Sequence, residues 1–180
     1  VYQGIWKAGT VANTSAAISG TTITLASAPD ETLVTGMIVT AAGISGTSIT
    51  ISSVTSQTEV VVSGTVNIGS GVPVTFSTLG GYPDLTAAGK KVNGHYYIVS
   101  VAGHAAPNGT GSTPNDWDVR DWCVFADDGA GGGADEWQKI DNSSLAGGTG
   151  TTNTMTKWLT NQTIGNSTIT DDGSTVTIAD

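Results

Sequence analysis

The chain is poor in the residues that several large functional classes depend on. It has one cysteine, Cys123, in 180 residues. A disulfide framework within the chain and a thiolate metal cluster are both excluded. Charged residues make up only 12%, and six Lys and Arg stand against fifteen Asp and Glu, for a formal net charge of −9. Such a chain cannot neutralise a phosphate backbone, and its few cations do not cluster, so nucleic-acid binding is not expected. Binding to an anionic membrane surface is not expected on the same ground. No apolar run approaches the roughly 18 residues of a membrane-spanning helix, so no membrane insertion is expected. Helical periodicity is almost absent, since no long window places apolar residues at i, i+3, i+4 and i+7 between caps. The first residues, Val1-Tyr2-Gln3, are not a signal peptide, and the chain reads as a piece of something longer.

What is abundant is Gly, at 25 residues, with Thr and Ser, and short β-branched runs. Alternation of Val and Ile with polar residues argues against disorder and for short strands between tight turns. Thr22–Leu25, Ser48–Ile51 and Val72–Phe76 alternate, Glu59–Val62 is β-branched, and Met37–Val39 lies between Gly36 and Gly43. The stretch from about Ile18 to Ser77 thus predicts five or six strands. Ile18-Ser19-Gly20-Thr21-Thr22-Ile23-Thr24 is echoed by Ile44-Ser45-Gly46-Thr47-Ser48-Ile49-Thr50. Two readings of the echo stay open, a two-fold repeat or one hairpin chemistry used twice.

Most aromatic residues lie elsewhere. His95–Val101 is the strongest predicted strand; Asp121–Phe125 and Glu136–Ile140 come after it, the last two as a hairpin with a long Gly-rich tip, Asp127–Gly133. The predicted fold class is all-β: small β-sandwich or barrel-like modules of short strands, one inserted in the other, followed by a fibre-like β segment. The expected boundaries are residues 1–10 plus 81–142 for the aromatic-rich module, 11–80 for the inserted Thr/Val-rich module, and 143–180 for a Gly linker and an oligomerising segment. In that last segment Asp171-Asp172-Gly173-Ser174 is a hairpin turn signal. About thirty residues with so few apolar groups cannot build a core alone, so identical chains are expected to supply it, most simply as a homotrimer.

Tyr2-Gln3-Gly4-Ile5-Trp6, Gly94–Gly103, Asp121-Trp122-Cys123-Val124-Phe125 and Trp137-Gln138-Lys139-Ile140-Asp141 together form a pattern. It resembles a module that recurs in bacteriophage virion proteins, notably modular tail fibres and related appendages. The stretch from Gly148 to Trp158, with Ile164–Ser167 and Asp171–Val176, is similar to segments found C-terminal to that module in phage fibres. The chain departs from the pattern at the insert, and where Arg120-Asp121-Trp122 replaces the commoner Gly-Asp-Trp, which predicts a changed turn before Trp122. The resemblance implies a virion localisation, other virion proteins as partners, and a role in projecting modules that attach to a host-surface glycan. Alternative expectations are a capsid decoration protein and a carbohydrate-binding module of a secreted protein.

The aromatic residues offer one candidate site. A pyranose packs its C–H face on an aromatic ring while carboxylates and amides take its hydroxyls. Trp6, Trp122 and Trp137 are assigned to the core of a small sheet, because large aromatics bury the most surface per residue. Trp117 lies among Asn115, Asp116 and Asp118 and is the ring expected at the surface, so these four are the candidate glycan ligands. Asp116, Asp118 and Asp121 cluster as calcium ligands do, but lack the Gly and bidentate Glu of an EF-hand loop, and no metal or cofactor is expected. His95 and His104 have no partners at zinc spacing. No nucleophile elbow, phosphate-binding loop or His-Glu-x-x-His occurs, so the chain is not expected to be an enzyme. Cys123, in an apolar run, is expected to fill core space.

Overall fold

The structure is a computed structural model and describes residues 1–45, 49–126, 135–142, 154–158 and 164–178. The chain divides into two compact units, Val1–Ser143 and Ser144–Asp180. The fold is all-β: the described elements are short strands in small separate sheets, with a single 3-10 turn at Ala88–Lys90.

In the first unit, β1 (Tyr2–Lys7), β8 (Tyr96–Val101), β9 (Trp122–Ala126) and β10 (Glu136–Ile140) form one sheet in the order β1-β8-β9-β10. β1 runs parallel to β8, with Tyr2 opposite Tyr96 and Ile5 opposite Ile98. The other pairings are antiparallel, with Phe125 opposite Trp137 and Tyr97 opposite Cys123. Parallel neighbours cannot be joined by a tight turn and need a long crossover. Here the crossover carries β2 (Thr10–Asn13), β3 (Ile18–Thr24), β4 (Ile38–Ala41), β5 (Ile51–Ser56), β6 (Glu59–Ile68) and β7 (Pro73–Ser77), which form two sheets of their own, β2-β7-β4 and β3-β6-β5.

Each set of strands packs its own core. Ile23, Leu25, Leu33, Met37, Val39, Ile51, Val60 and Phe76 belong to a cluster built from the β2–β7 sheets. Trp6, Leu85, Tyr97, Val99, Trp117, Cys123, Phe125 and Trp137 form a second cluster under the aromatic sheet. Large rings fill that second core because so few aliphatic residues are available there, and each removes on the order of 150–250 Å² from water. Every indole in it also finds a backbone acceptor. Trp6 Nε1 donates to Gly80 O at 3.0 Å, and Trp137 Nε1 donates to Leu85 O at 2.9 Å. Gly81 lies at φ +66° against the Trp6 indole, and a Cβ there would stand 2.4 Å from Trp6 Nε1, so no side chain fits.

Three strand expectations change. β5 begins at Ile51, so of the alternation read at Ser48–Ile51 the residues Ile49 and Thr50 precede the strand, and Ser48 lies outside the described residues. β6 is far longer than Glu59–Val62; ten residues are accommodated because the pairing with β3 shifts register between Gly20 and Thr22. The echoed heptapeptides are not equivalent. The first lies wholly within β3, with Gly20 (φ 150°) at the register shift and not in a turn; Ile44 and Ser45 of the second are outside any strand, and its residues 46–48 lie outside the described residues.

In the second unit β11 (Thr154–Trp158), β12 (Ile164–Asp171) and β13 (Val176–Ile178) form an antiparallel sheet in that order. The expected hairpin turn is present. Asp171 pairs with Val176, Gly173 has φ 89°, and Asp172 Oδ1 accepts from the Ser174 and Thr175 amides at 2.9 and 2.8 Å. The Gly-rich tip Asp127–Gly133 and the link Gly147–Gly150 lie outside the described residues.

Candidate functional site

The segment from Gly103 to Asp121 holds all four residues predicted as glycan ligands, and the structure buries the ring while leaving the three polar residues exposed. Trp117 is not exposed. It is 1% accessible, its backbone bridges Gly103 in both directions, and its Nε1 donates to Ala105 O at 2.8 Å. The ring meets Trp6 edge to face, with centroids 4.9 Å apart and planes at 88°. No face is left for a sugar, and the expectation of a surface Trp117 is overturned. The polar neighbours that suggested exposure point outward while the indole turns in. Asp118 is exposed beside it, and its amide donates to Asp121 Oδ2 at 2.7 Å. Asp116 reaches solvent, with Oδ1 3.6 Å from His104 Nδ1. Asn115 lines a shallow cleft of about 160 Å³ with Ile38, Leu79, His104 and Ala106. That volume is below the several hundred Å³ of ordinary small-molecule sites.

Asp121 is the organising group of this segment. It is fully buried, and Lys139 Nζ approaches Oδ2 at 2.8 Å. Its two oxygens also accept the Asp118 and Asn142 amides. Burial alone would lower the Lys139 pKa; the hydrogen bond to Asp121, with the charges of Asp121, Asp118 and Asp141, outweighs it and holds the pKa above the ordinary lysine value. Asp121 is therefore committed to an internal ion pair. Among the described residues no group of three or more His, Cys, Asp or Glu is placed to hold a metal ion. The turn before Trp122 is unusual: Arg120, at φ 83°, is the one described non-glycine residue in the left-handed region, and its amide donates to Val99 O at 2.9 Å.

Trp122, assigned from sequence to the core, is instead at the surface, 36% exposed. In β9 the side chains of Cys123 and Phe125 point inward, so strand alternation turns Trp122 and Val124 out. Trp122 stacks on Tyr96, with centroids 5.1 Å apart and planes at 14°; Tyr96 in turn contacts Tyr2 at 5.5 Å. This row of rings on the outer face of the aromatic sheet is what sequence reasoning missed. The phase of Cys123 and Phe125 against Trp137 was the available signal. Cys123 is fully buried as expected, and burial pushes its thiol pKa far above the ordinary value, so it offers no nucleophile near neutral pH.

Comparison with protein-family models, curated proteins and solved structures finds no match to this chain. No helix among the described residues is long and apolar enough to cross a membrane.

Proposed function

We propose that the chain is a segment of a bacteriophage tail fibre or related virion appendage, a structural protein that assembles as a homotrimer and presents its β modules to a host surface. One observation carries this reading. From residue 167 to residue 178 of the second unit nothing is buried; Val176 is 60% and Ile178 70% exposed. Strands whose described side chains are all at least partly exposed lack, among those residues, the apolar contact that stabilises small sheets. Identical copies supply that contact at no cost in sequence complexity, and a three-fold fibre repeats the presented modules so that weak contacts add. The motif resemblance at Tyr2–Trp6, Gly94–Gly103, Asp121–Phe125 and Trp137–Asp141 supplies the biological setting.

Light scattering on the purified chain tests the assembly. A mass three times that of the 18.1 kDa protomer is expected. A monomer at all concentrations overturns the proposal. Immunogold labelling of purified virions then places the protein, with label on the tail expected and label on the shell assigning it to decoration.

A further inference from the structure

The cleft beside Asn115 is lined from both modules of the first unit. Ile38 of β4 and Leu79, just after β7, form one wall; the loop that begins at Gly103 supplies His104, Ala106, Thr110 and Asn115. Both walls are held in place. Ser77 is buried opposite Ile38 in the β4–β7 pairing, and its hydroxyl accepts the His104 amide at 2.9 Å, so one residue fixes the two sides. The loop is closed by the Gly103–Trp117 backbone bridge, by the Gly109 amide on Ala106 O at 2.9 Å, and by Asn108 contacts with Trp137. A rigid wall has little order left to lose on binding.

The polar groups of the cleft are uncommitted. The side chains of Asn115 and Thr110 make no hydrogen bond among the described residues. Asp116 Oδ1, 3.6 Å from His104 Nδ1, draws the ring proton to that nitrogen and leaves Nε2 as an acceptor. An amide, a hydroxyl and an imidazole acceptor thus surround an apolar floor of Ile38, Leu79 and Ala106.

Charge and size narrow the occupant. A net charge of −9, with Asp116 at the rim, turns anions away. No carboxylate is among the lining residues, so a cation finds no counter-charge inside. About 160 Å³ takes one small ring with a substituent. A peptide side chain of that size brings one polar group or none and leaves most of the lining unpaired. A neutral acetamido sugar matches it throughout: a methyl for the floor, an amide for Asn115, and ring hydroxyls for Thr110 and His104.

We propose that this cleft is a subsite for one N-acetylated hexosamine unit of a surface glycan. The inference rests on the host-surface reading above and gives it a ligand class. Asn115 and Asp116, expected from sequence to hold a sugar, return here without the Trp117 ring: Asn115 as a ligand, Asp116 as the group that orients His104.

Saturation-transfer NMR on the full chain with methyl N-acetyl-β-D-glucosaminide tests this. Binding with a Kd of about 1 mM is expected, the strength usual for a ligand of this size, with the acetamido methyl most strongly saturated. Asn115→Ala and His104→Ala should each weaken binding about tenfold, as loss of one buried hydrogen-bond partner does. The Asn115→Ala variant should melt as the parent does, because that side chain holds nothing within the protein. A Val34→Gln variant, exposed and outside the cleft, should bind as the parent does. The corresponding glucoside and the deacetylated amine should bind far more weakly. Equal binding of either overturns the acetamido assignment, and binding indifferent to both alanine variants overturns the site. A trimeric chain that shows no saturation transfer at tens of millimolar sugar overturns this subsite and leaves the assembly standing.

Discussion

At position 120 a side-chained residue occupies backbone space that glycine fills without strain. Arg120, at φ 83°, bears a left-handed conformation worth roughly 1–2 kcal/mol of strain, partly offset because glycine loses more freedom on folding. Arg120→Gly should therefore raise stability by about 0.5–1 kcal/mol, measured by chemical denaturation. The next residue behaves in the opposite way. Asp121→Ala removes the buried partner of Lys139 and the acceptor of two backbone amides, and should cost about 3 kcal/mol. The same pair sets an alkaline limit. The Lys139 pKa is raised in the folded state, so its contribution is complete below the ordinary lysine pKa and is lost as pH rises through the folded value. Thermal melts of the parent should fall above about pH 10.5, and the Asp121→Ala variant should fall less steeply over that range. Trp117 and Trp122 show what a local reading misses at this scale. Trp117 sits among acidic residues and Trp122 heads an apolar run, yet it is Trp117 that turns inward, onto Trp6, a residue far away in sequence that no local pattern contains.

Among the elements, β10 carries an instructive device. It is the last strand of its sheet, and an open edge offers unpaired amides and carbonyls to any passing strand. Asn108 closes the middle of that edge. Its Oδ1 accepts the Trp137 amide at 2.7 Å, and its Nδ2 donates to the Trp137 carbonyl at 2.8 Å. One side chain thus imitates a neighbouring strand. Asn108→Ala should cost about 2 kcal/mol, read from denaturant melts, and should raise aggregation on heating. The strands themselves were legible where apolar residues alternate or β-branched residues run together. Pro73–Ser77, Tyr96–Val101, Trp122–Ala126 and Glu136–Ile140 all fall where the pattern put them. β2 was not foreseen, because Thr10–Asn13 shows its buried positions only as Thr10 and Ala12, residues too small to stand out. The Asn108 clasp had no signal either: the residue lies in a polar loop, and its partner is reached only after the sheet has formed.

For the molecule as a whole, composition and strand pattern were enough for an all-β fold of small sheets, because short strands and turn chemistry are written locally. The candidate site was not, because it depends on which side of a sheet each aromatic faces. The parallel alignment of β1 with β8 has a consequence for how the protein is made. β1 leaves the ribosome well ahead of the partner that will hold it, and the whole of β2–β7 is synthesised in the interval. Those six strands draw their ladders and their core from one another, so they have what they need to close first. Biogenesis then runs against reading order: the middle of this unit finishes early, and the strand that precedes it docks only when the later sequence has arrived.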